Sequence, residues 1–243
     1  MVVISLEFKN YQNMSLGVDC VIMTTDTHKE DNKRMNPARS IQVLLIKRTI
    51  DPFNNCWSIP GGLVEPDKGL EETINDKLFT KTNIGDIYKE QLYTYGDNIE
   101  RDPRGRVVSV AYLALVDKNK LNNIQSTFYG EVKWFWVDLT ESGLSIIDPD
   151  TGEDVKNLAF DHAKILTDAV LRLRNKVMYT DVAFNLLPEN FTMRELQDVY
   201  ENILNKSLFS FRRTIGNKVV ETDQFSDDKA HRPARLYKFN KAK

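Results

Sequence analysis

The sequence predicts an α+β chain: an α/β/α sandwich followed by a small helix–helix–hairpin unit. Three observations lead there. Apolar runs of strand length, such as Ile41 to Ile46, recur between polar turns over the first 157 residues. An amphipathic stretch with Leu70, Ile74 and Leu78 at i, i+4 and i+8 follows closely on a Gly-Gly turn. Beyond Pro188 the pattern restarts with its own helix-start signal, Thr192 with Glu195 three residues on. The expected division is 1–157 for the sandwich, 158–186 for a connecting helix and linker, and 187–243 for the small unit.

In chain order, residues 1–15 read as an arm or edge strand, and Leu16 to Met23 as a strand rich in β-branched residues. Thr24 to Ser40 is polar, holds Pro37 and reads as a loop. Ile41 to Ile46 is a strand buried on both faces. Pro52 to Asn55 is a turn leading to Trp57 and the glycine pair Gly61-Gly62, where backbone can approach closely because there is no Cβ. Further strands are expected at Glu90 to Tyr95, Val107 to Val116 and Gly130 to Leu139; Trp134 and Trp136 share a face of the last, as core residues rather than a platform for a base. Ser145 to Asn157 closes the sandwich, and Leu158 to Met178 has helical spacing without an internal Pro or Gly.

In the small unit, Thr192 caps a helix whose stripe is Met193, Leu196, Val199, Tyr200 and Ile203, ending near Asn205. Ser207 to Ile215 is a second, short helix carrying Arg212 and Arg213. Lys218 to Thr222 and Ala234 to Phe239 alternate as a hairpin around Lys229, His231 and Arg232. Helix, helix and basic hairpin make a winged helix-turn-helix layout, in which a helix reads the major groove and the wing touches phosphates.

Composition bounds the function classes. No apolar run reaches the roughly 20 residues that cross a bilayer and no basic-then-apolar leader opens the chain, so a cytoplasmic protein without a membrane partner is expected. Two cysteines, Cys20 and Cys56, read as reduced thiols, and three histidines with two cysteines argue against zinc. The net charge of −2 is uneven: residues 205–243 hold ten Lys/Arg against four Asp/Glu, leaving the rest at −8. A basic end on an acidic body points to a polyanion there, unless the cluster is only a solvated surface.

Trp57-Ser58-Ile59-Pro60-Gly61-Gly62-Leu63-Val64-Glu65, with Leu70 to Ile84 behind it, resembles the Nudix box, G-x5-E-x7-R-E-U-x-E-E-x-G-U, where U is a bulky aliphatic. The frame fits from Gly62 to Ile84 without a gap. Gly62, Leu78 and Ile84 match, but Lys68 stands at the first Glu, Asp76-Lys77 at R-E, Thr80-Lys81 at E-E and Asn83 at the Gly. Chemistry at this box needs Mg²⁺ on carboxylates, and an ammonium in a ligand's place repels the cation. The scaffold is kept and the metal site is lost. Taken with the second unit, the chain resembles the Nudix-related transcriptional regulators of NrtR type, over about Gly17 to Phe239. Trp57 to Gly62, Tyr95 to Tyr112, Leu187 to Thr192 with Leu196, Phe211-Arg212-Arg213 and Arg232 to Phe239 carry the likeness.

The resemblance implies a repressor, homodimeric on a palindromic double-stranded DNA operator, whose degenerate Nudix domain senses ADP-ribose, an NAD-related nucleotide or a sugar. It implies no cofactor. The expected ligand contacts are Arg48, Trp57, Gly61, Gly62, Arg101, Asp102, Arg104 and Arg106; the guanidinium forks suit phosphate. The expected DNA contacts are Thr192, Arg194, Arg212, Arg213, Lys218, Lys229, Arg232 and Arg235. One departure is that Leu208 to Phe211 runs about two residues shorter than the usual lead-in to the recognition helix. Two alternatives stay open: an ADP-ribose-type pyrophosphatase that recruits Mg²⁺ through Glu65, Glu71 or Glu72, and a module whose second unit docks protein.

Overall fold

The strand pattern folds as one mixed sheet with a helix on each face, in a computed structural model that describes residues 14–27, 39–82, 87–120, 130–226 and 233–241. The early elements are β1 (Met14–Thr27), β2 (Arg39–Lys47), β3 (Trp57–Ser58), β4 (Gly61–Leu63) and α1 (Leu70–Thr82). β5 (Tyr88–Tyr95), β6 (Arg106–Leu115), β7 (Val132–Thr140), β8 (Gly143–Ile147) and α2 (His162–Lys176) complete the first part. The sheet order is β5-β6-β1-β2-β7-β8, with β3 on β2 and β4 on β1. β1 and β6 run parallel, and the other pairs are antiparallel.

Alternation sorts the side chains. Val18, Cys20, Ile22, Leu44 and Ala114 face one way and meet Ile74 and Leu78 of α1. Val21, Met23, Val43, Leu45, Leu113 and Phe135 face the other way and meet Ile165, Leu166, Ala169, Val170 and Leu173 of α2. One edge of β1 is shared between two partners: Gly17 to Asp19 pair with β4, and Met23 to Thr27 pair with β2. The sheet therefore parts in the middle of β1, and the Gly-Gly turn lies at that parting.

The second unit comprises β9 (Phe191–Thr192), α3 (Met193–Leu204), α4 (Phe211–Ile215), β10 (Val219–Phe225) and β11 (Arg235–Phe239), with strand order β10-β11-β9. Thr192 accepts from Glu195 N–H while the Glu195 carboxylate receives Thr192 N–H, a full capping box. Asn205 ends α3 in the left-handed region at φ +50°. The cores are continuous: Leu196, Val199, Tyr200 and Ile203 of α3 belong to the same cluster as Val43 and Phe135 of the sheet. Arg174, in the last turn of α2, donates to the Ile203 and Leu139 carbonyls and to Asp138.

Several boundaries differ from the sequence expectation. β1 continues past Met23 to Thr27 because it keeps a partner, β2, to that point. Gly143 to Ile147, within and beside the stretch read as a closing segment, is a strand paired to β7. α2 starts at His162 rather than Leu158, because Ala159 N–H goes to Trp57 O and Phe160 takes φ +53°. α4 is only five residues long, and Ser210 before it sits at φ +57°. The arm at 1–13, most of the loop after β1, and Asn83 and Ile84 lie outside the described residues. No helix of the described residues is long and apolar enough to cross a membrane.

Candidate functional site

The site begins with a glycine. A Cβ on Gly61 would stand 2.3 Å from the Val18 carbonyl oxygen and 2.4 Å from Asp19 Oδ1, so only glycine lets β4 lie this close to β1. Gly62 is less confined, with Lys77 Cε 3.1 Å from the same test position.

Asp19 interrupts the apolar strand β1 and is 8% exposed. A buried carboxylate needs partners, and Asp19 has them. Ser109 Oγ donates to it at 2.6 Å, Arg101 Nη2 lies 3.7 Å away and His162 Nε2 lies 3.6 Å away. His162 Nδ1 accepts Ile59 N–H at 2.9 Å, which fixes the backbone entering the glycine pair. Burial holds the imidazole below its ordinary pKa, so it stays neutral and can accept. Arg101 grips Asp161 with two hydrogen bonds, at 2.9 and 2.6 Å. These groups brace the turn from the α2 side.

On the α1 side lie lysines. Lys81 Nζ donates to the Gly61 carbonyl. Burial pushes this ammonium down to about 8 against the pull of Asp19, and Lys77, Arg48 and Arg104 lower it further. Lys68 pairs with Asp76 at 2.8 Å and with Glu65 at 3.1 Å, while Lys77 pairs with Glu65 at 3.2 Å. Hydrogen bonds from Lys68 and then Lys77 hold the exposed Glu65 below the usual carboxylate range. Glu71 is 80% exposed and 3.8 Å from Lys89. The donor set does not fit a divalent ion: lysines occupy three of the box's acidic positions, and no group of three or more His, Cys, Asp or Glu converges among the described residues.

The groups gathered around Phe160 are cationic and aromatic. Arg48 and Arg104 both stack on Phe160, at 4.9 and 5.5 Å from its centroid, and Phe53 meets that ring edge-on. Arg48 donates to the Pro52 and Ile50 carbonyls. Burial, then the field of Arg104, lowers its pKa. Arg104 chelates Asp102 at 2.9 and 2.7 Å yet keeps 47% of its side chain exposed. Although burial opposes it, that grip holds Asp102 below the usual carboxylate range.

The expected ligand set thus divides. Arg48, Arg104 and its partner Asp102 lie around Phe160, and Gly61 and Gly62 form the turn against β1. Arg101 is turned inward, 5% exposed and bound to Asp161, as the more exposed Arg104 is bound to Asp102. Arg106 opens β6 and donates weakly to Asn98 O at 3.4 Å. Trp57 packs edge-on against Phe135 at 4.6 Å. Sequence reasoning missed Asp19, Ser109, Phe160, Asp161 and His162, and gave Lys81 no ligand role. A lone carboxylate inside Gly17 to Met23 was the available signal.

In the second unit Arg212 and Arg213 project from α4 and are exposed. Arg194 lies in the first turn of α3, 60% exposed and 2.8 Å from Asp198. Arg235 pairs with Glu221 at 3.2 Å and stacks on Phe225. Two expected contacts are employed elsewhere: the Thr192 hydroxyl is spent in the capping box, and Lys218 holds Thr180 O and Asp181 at the junction of the units. Lys229 and Arg232 lie outside the described residues.

Comparison with known proteins accords with both halves. The model of the NUDIX domain matches residues 21–158, and that of the NrtR DNA-binding winged helix domain matches residues 183–239. The ADPR responsive transcriptional repressor NtrR of Acinetobacter baylyi is 40% identical over 236 residues, 95% of this chain and 84% of that one. The chain belongs to the NrtR family. NrtR of Shewanella oneidensis, solved in complex with a 27mer DNA, aligns at TM-score 0.70 and 34% identity over 93% of each chain. A MutT/nudix family protein from Enterococcus faecalis aligns at TM-score 0.73 and 24% identity over 99% of this chain and 94% of that one, which speaks for the fold alone. Within the NrtR frame, the helix of the Nudix box keeps its packing residues Ile74 and Leu78 while its polar face has changed sign.

Proposed function

We propose that this chain is a DNA-binding transcriptional repressor whose Nudix domain senses ADP-ribose or a closely related nucleotide and does not hydrolyse it. One observation carries the reading: Lys68, Lys77 and Lys81 stand in the box's acidic positions, inside a Nudix scaffold joined to a winged helix. The named function of the Acinetobacter baylyi relative, at 40% identity over nearly the whole chain, supports both the ligand and the response. The repressor acts in the cytoplasm as a homodimer, so that two winged helices meet two half-sites of double-stranded DNA. It needs no metal or other cofactor. The ligand acts by favouring one arrangement of the two units over the other.

The test is fluorescence anisotropy on DNA from the chain's own upstream region, with and without ADP-ribose. Affinity is expected to fall steeply with salt, because phosphate contacts release counterions, and to change when ADP-ribose is added. Arg212→Ala with Arg213→Ala should weaken binding and lower the salt slope by up to about 2. Absence of DNA binding at low salt would overturn the repressor reading. Indifference to the arginine pair would mean that α4 does not read DNA.

A further inference from the structure

A cavity of about 1080 Å³ lies where the two units meet, walled by ends of β5 and β6, the last turn of α2, the chain at 180–189 and the strands β10 and β11. It is large enough for a small molecule, and such sites favour junctions between units. It is separate from the Gly-Gly turn. That turn lies level with Ser109 to Ala111 of β6, whereas the cavity begins at Leu115, about 15 Å further along the strand.

Three kinds of group line this cavity. Phe184 and Phe239 make an aromatic wall, half-buried, with ring centroids 4.4 Å apart. Lys120, Lys238 and Lys241 are exposed, and none of them pairs with a carboxylate among the described residues. Asp117 is 5% exposed, and its side chain accepts only from Asn119, through Oδ1. A carboxylate so buried has capacity for further donors. The other charged groups of the wall are engaged or solvated: Lys176 holds Glu90, Lys218 holds Asp181, and Glu189 is exposed.

We infer that this junction cavity is a second ligand site, for a nucleoside monophosphate whose base carries a ring N–H. Its occupant has to offer three things at once: a flat face to the phenylalanines, an N–H donor to Asp117 and negative charge to the lysines. A base that stacks on aromatic side chains and is read by hydrogen bonds to its edge supplies the first two. Its phosphate supplies the third, and ammonium groups bind phosphate oxygens through charge-assisted hydrogen bonds. Because both units wall the cavity, the ligand's affinity depends on how they are arranged. By linkage, an occupant then alters DNA affinity by the factor that DNA alters its own. The inference does not rest on the ADP-ribose reading.

Calorimetric titration of the full chain with GMP, alone and with ADP-ribose in excess, tests this. One GMP per chain is expected in both titrations. Lys238→Met with Lys241→Met, both exposed positions, should weaken GMP at least about tenfold, the scale of one charge-assisted hydrogen bond. AMP, whose base has an acceptor where guanine has its ring N–H, should bind at least about tenfold more weakly than GMP. Asp117→Asn should narrow that preference; if the variant fails to fold by thermal melting, the comparison of GMP with AMP on the unaltered chain reads the same contact. No binding of GMP, equal affinity for AMP, or unchanged affinity in the folded lysine variant overturns the inference. So does a GMP Kd that rises in proportion to ADP-ribose, which would place both ligands in one site. None of these results bears on whether ADP-ribose itself is sensed, which its own titration decides.

Discussion

Arg174 ties the two units together, and replacing it with methionine should measurably loosen the molecule. Its guanidinium donates to the Ile203 carbonyl at 2.9 Å, to the Leu139 carbonyl at 2.5 Å and to Asp138 Oδ1 at 3.0 Å. Ile203 lies in the last turn of α3, where helix carbonyls lack partners within the helix, so the cation also meets the negative end of the helix dipole. The Arg174 side chain is 19% exposed, and Asp138 is 49% exposed. The Asp138 contact is therefore screened and contributes little. The two carbonyl bonds, each charge-assisted, contribute about 1.5 kcal/mol apiece. Methionine keeps the packing of the stem, so the expected loss is about 3 kcal/mol. In a chain of this size that lowers Tm by roughly 6–12 °C. Urea and thermal unfolding read the change directly. A loss below about 0.5 kcal/mol would refute the reasoning and leave the apolar core and the Lys218 contacts as what joins the units. Because Arg174 links β7 to α3, the same variant should also shrink the effect of ADP-ribose on DNA affinity while leaving ADP-ribose affinity itself within about threefold.

Three further outcomes are expected. Gly61→Ala drives a Cβ to 2.3 Å from the Val18 carbonyl and should lose about 3 kcal/mol or more, whereas Gly69→Ala, with nothing within 4 Å, should stay within about 0.5 kcal/mol in the same denaturant series. Thr192→Ala removes the acceptor for Glu195 N–H and should cost about 1 kcal/mol, with Thr192→Ser restoring most of it. Burial holds His162 below its ordinary value of 6.5, so the unfolded chain gains a proton before the folded one does. Its contribution to stability is thus present above about pH 6.5 and is lost as pH falls towards the lower folded value, with a slope of at most about 1.4 kcal/mol per pH unit. His162→Gln, which can still accept Ile59 N–H, should flatten that acid limb; an unchanged limb would assign it to other groups.

Apolar spacing made much of this molecule legible. The run Ile41 to Ile46 announced a central strand, the stripe Leu70, Ile74 and Leu78 a packed helix, and Thr192 with Glu195 the start of α3, because each is a local rule. What sequence did not yield depends on contacts made far along the chain. α2 starts late because residue 159 is bound to residue 57, and β8 exists because β7 offers it an edge. The change of charge sign in the box was legible from fixed spacing alone, at Lys68, Lys77 and Lys81. Where a charge points was not legible. Arg101 and Arg104 are three residues apart with the same side chain and each grips an aspartate, yet one is 5% exposed on Asp161 and the other 47% exposed on Asp102. Asp161 and His162 come from α2 and its approach, about 100 residues beyond the Gly-Gly turn they brace, and no local pattern marks them.

The proposed repressor holds ADP-ribose without cutting it. Chromatographic measurement of AMP released from ADP-ribose, in the presence of Mg²⁺ or Mn²⁺ and of protein shown to bind the ligand, tests that most directly. The expected result is release no faster than in the protein-free control. Metal-dependent turnover well above that control, abolished by Glu65→Gln, would contradict it and restore the hydrolase.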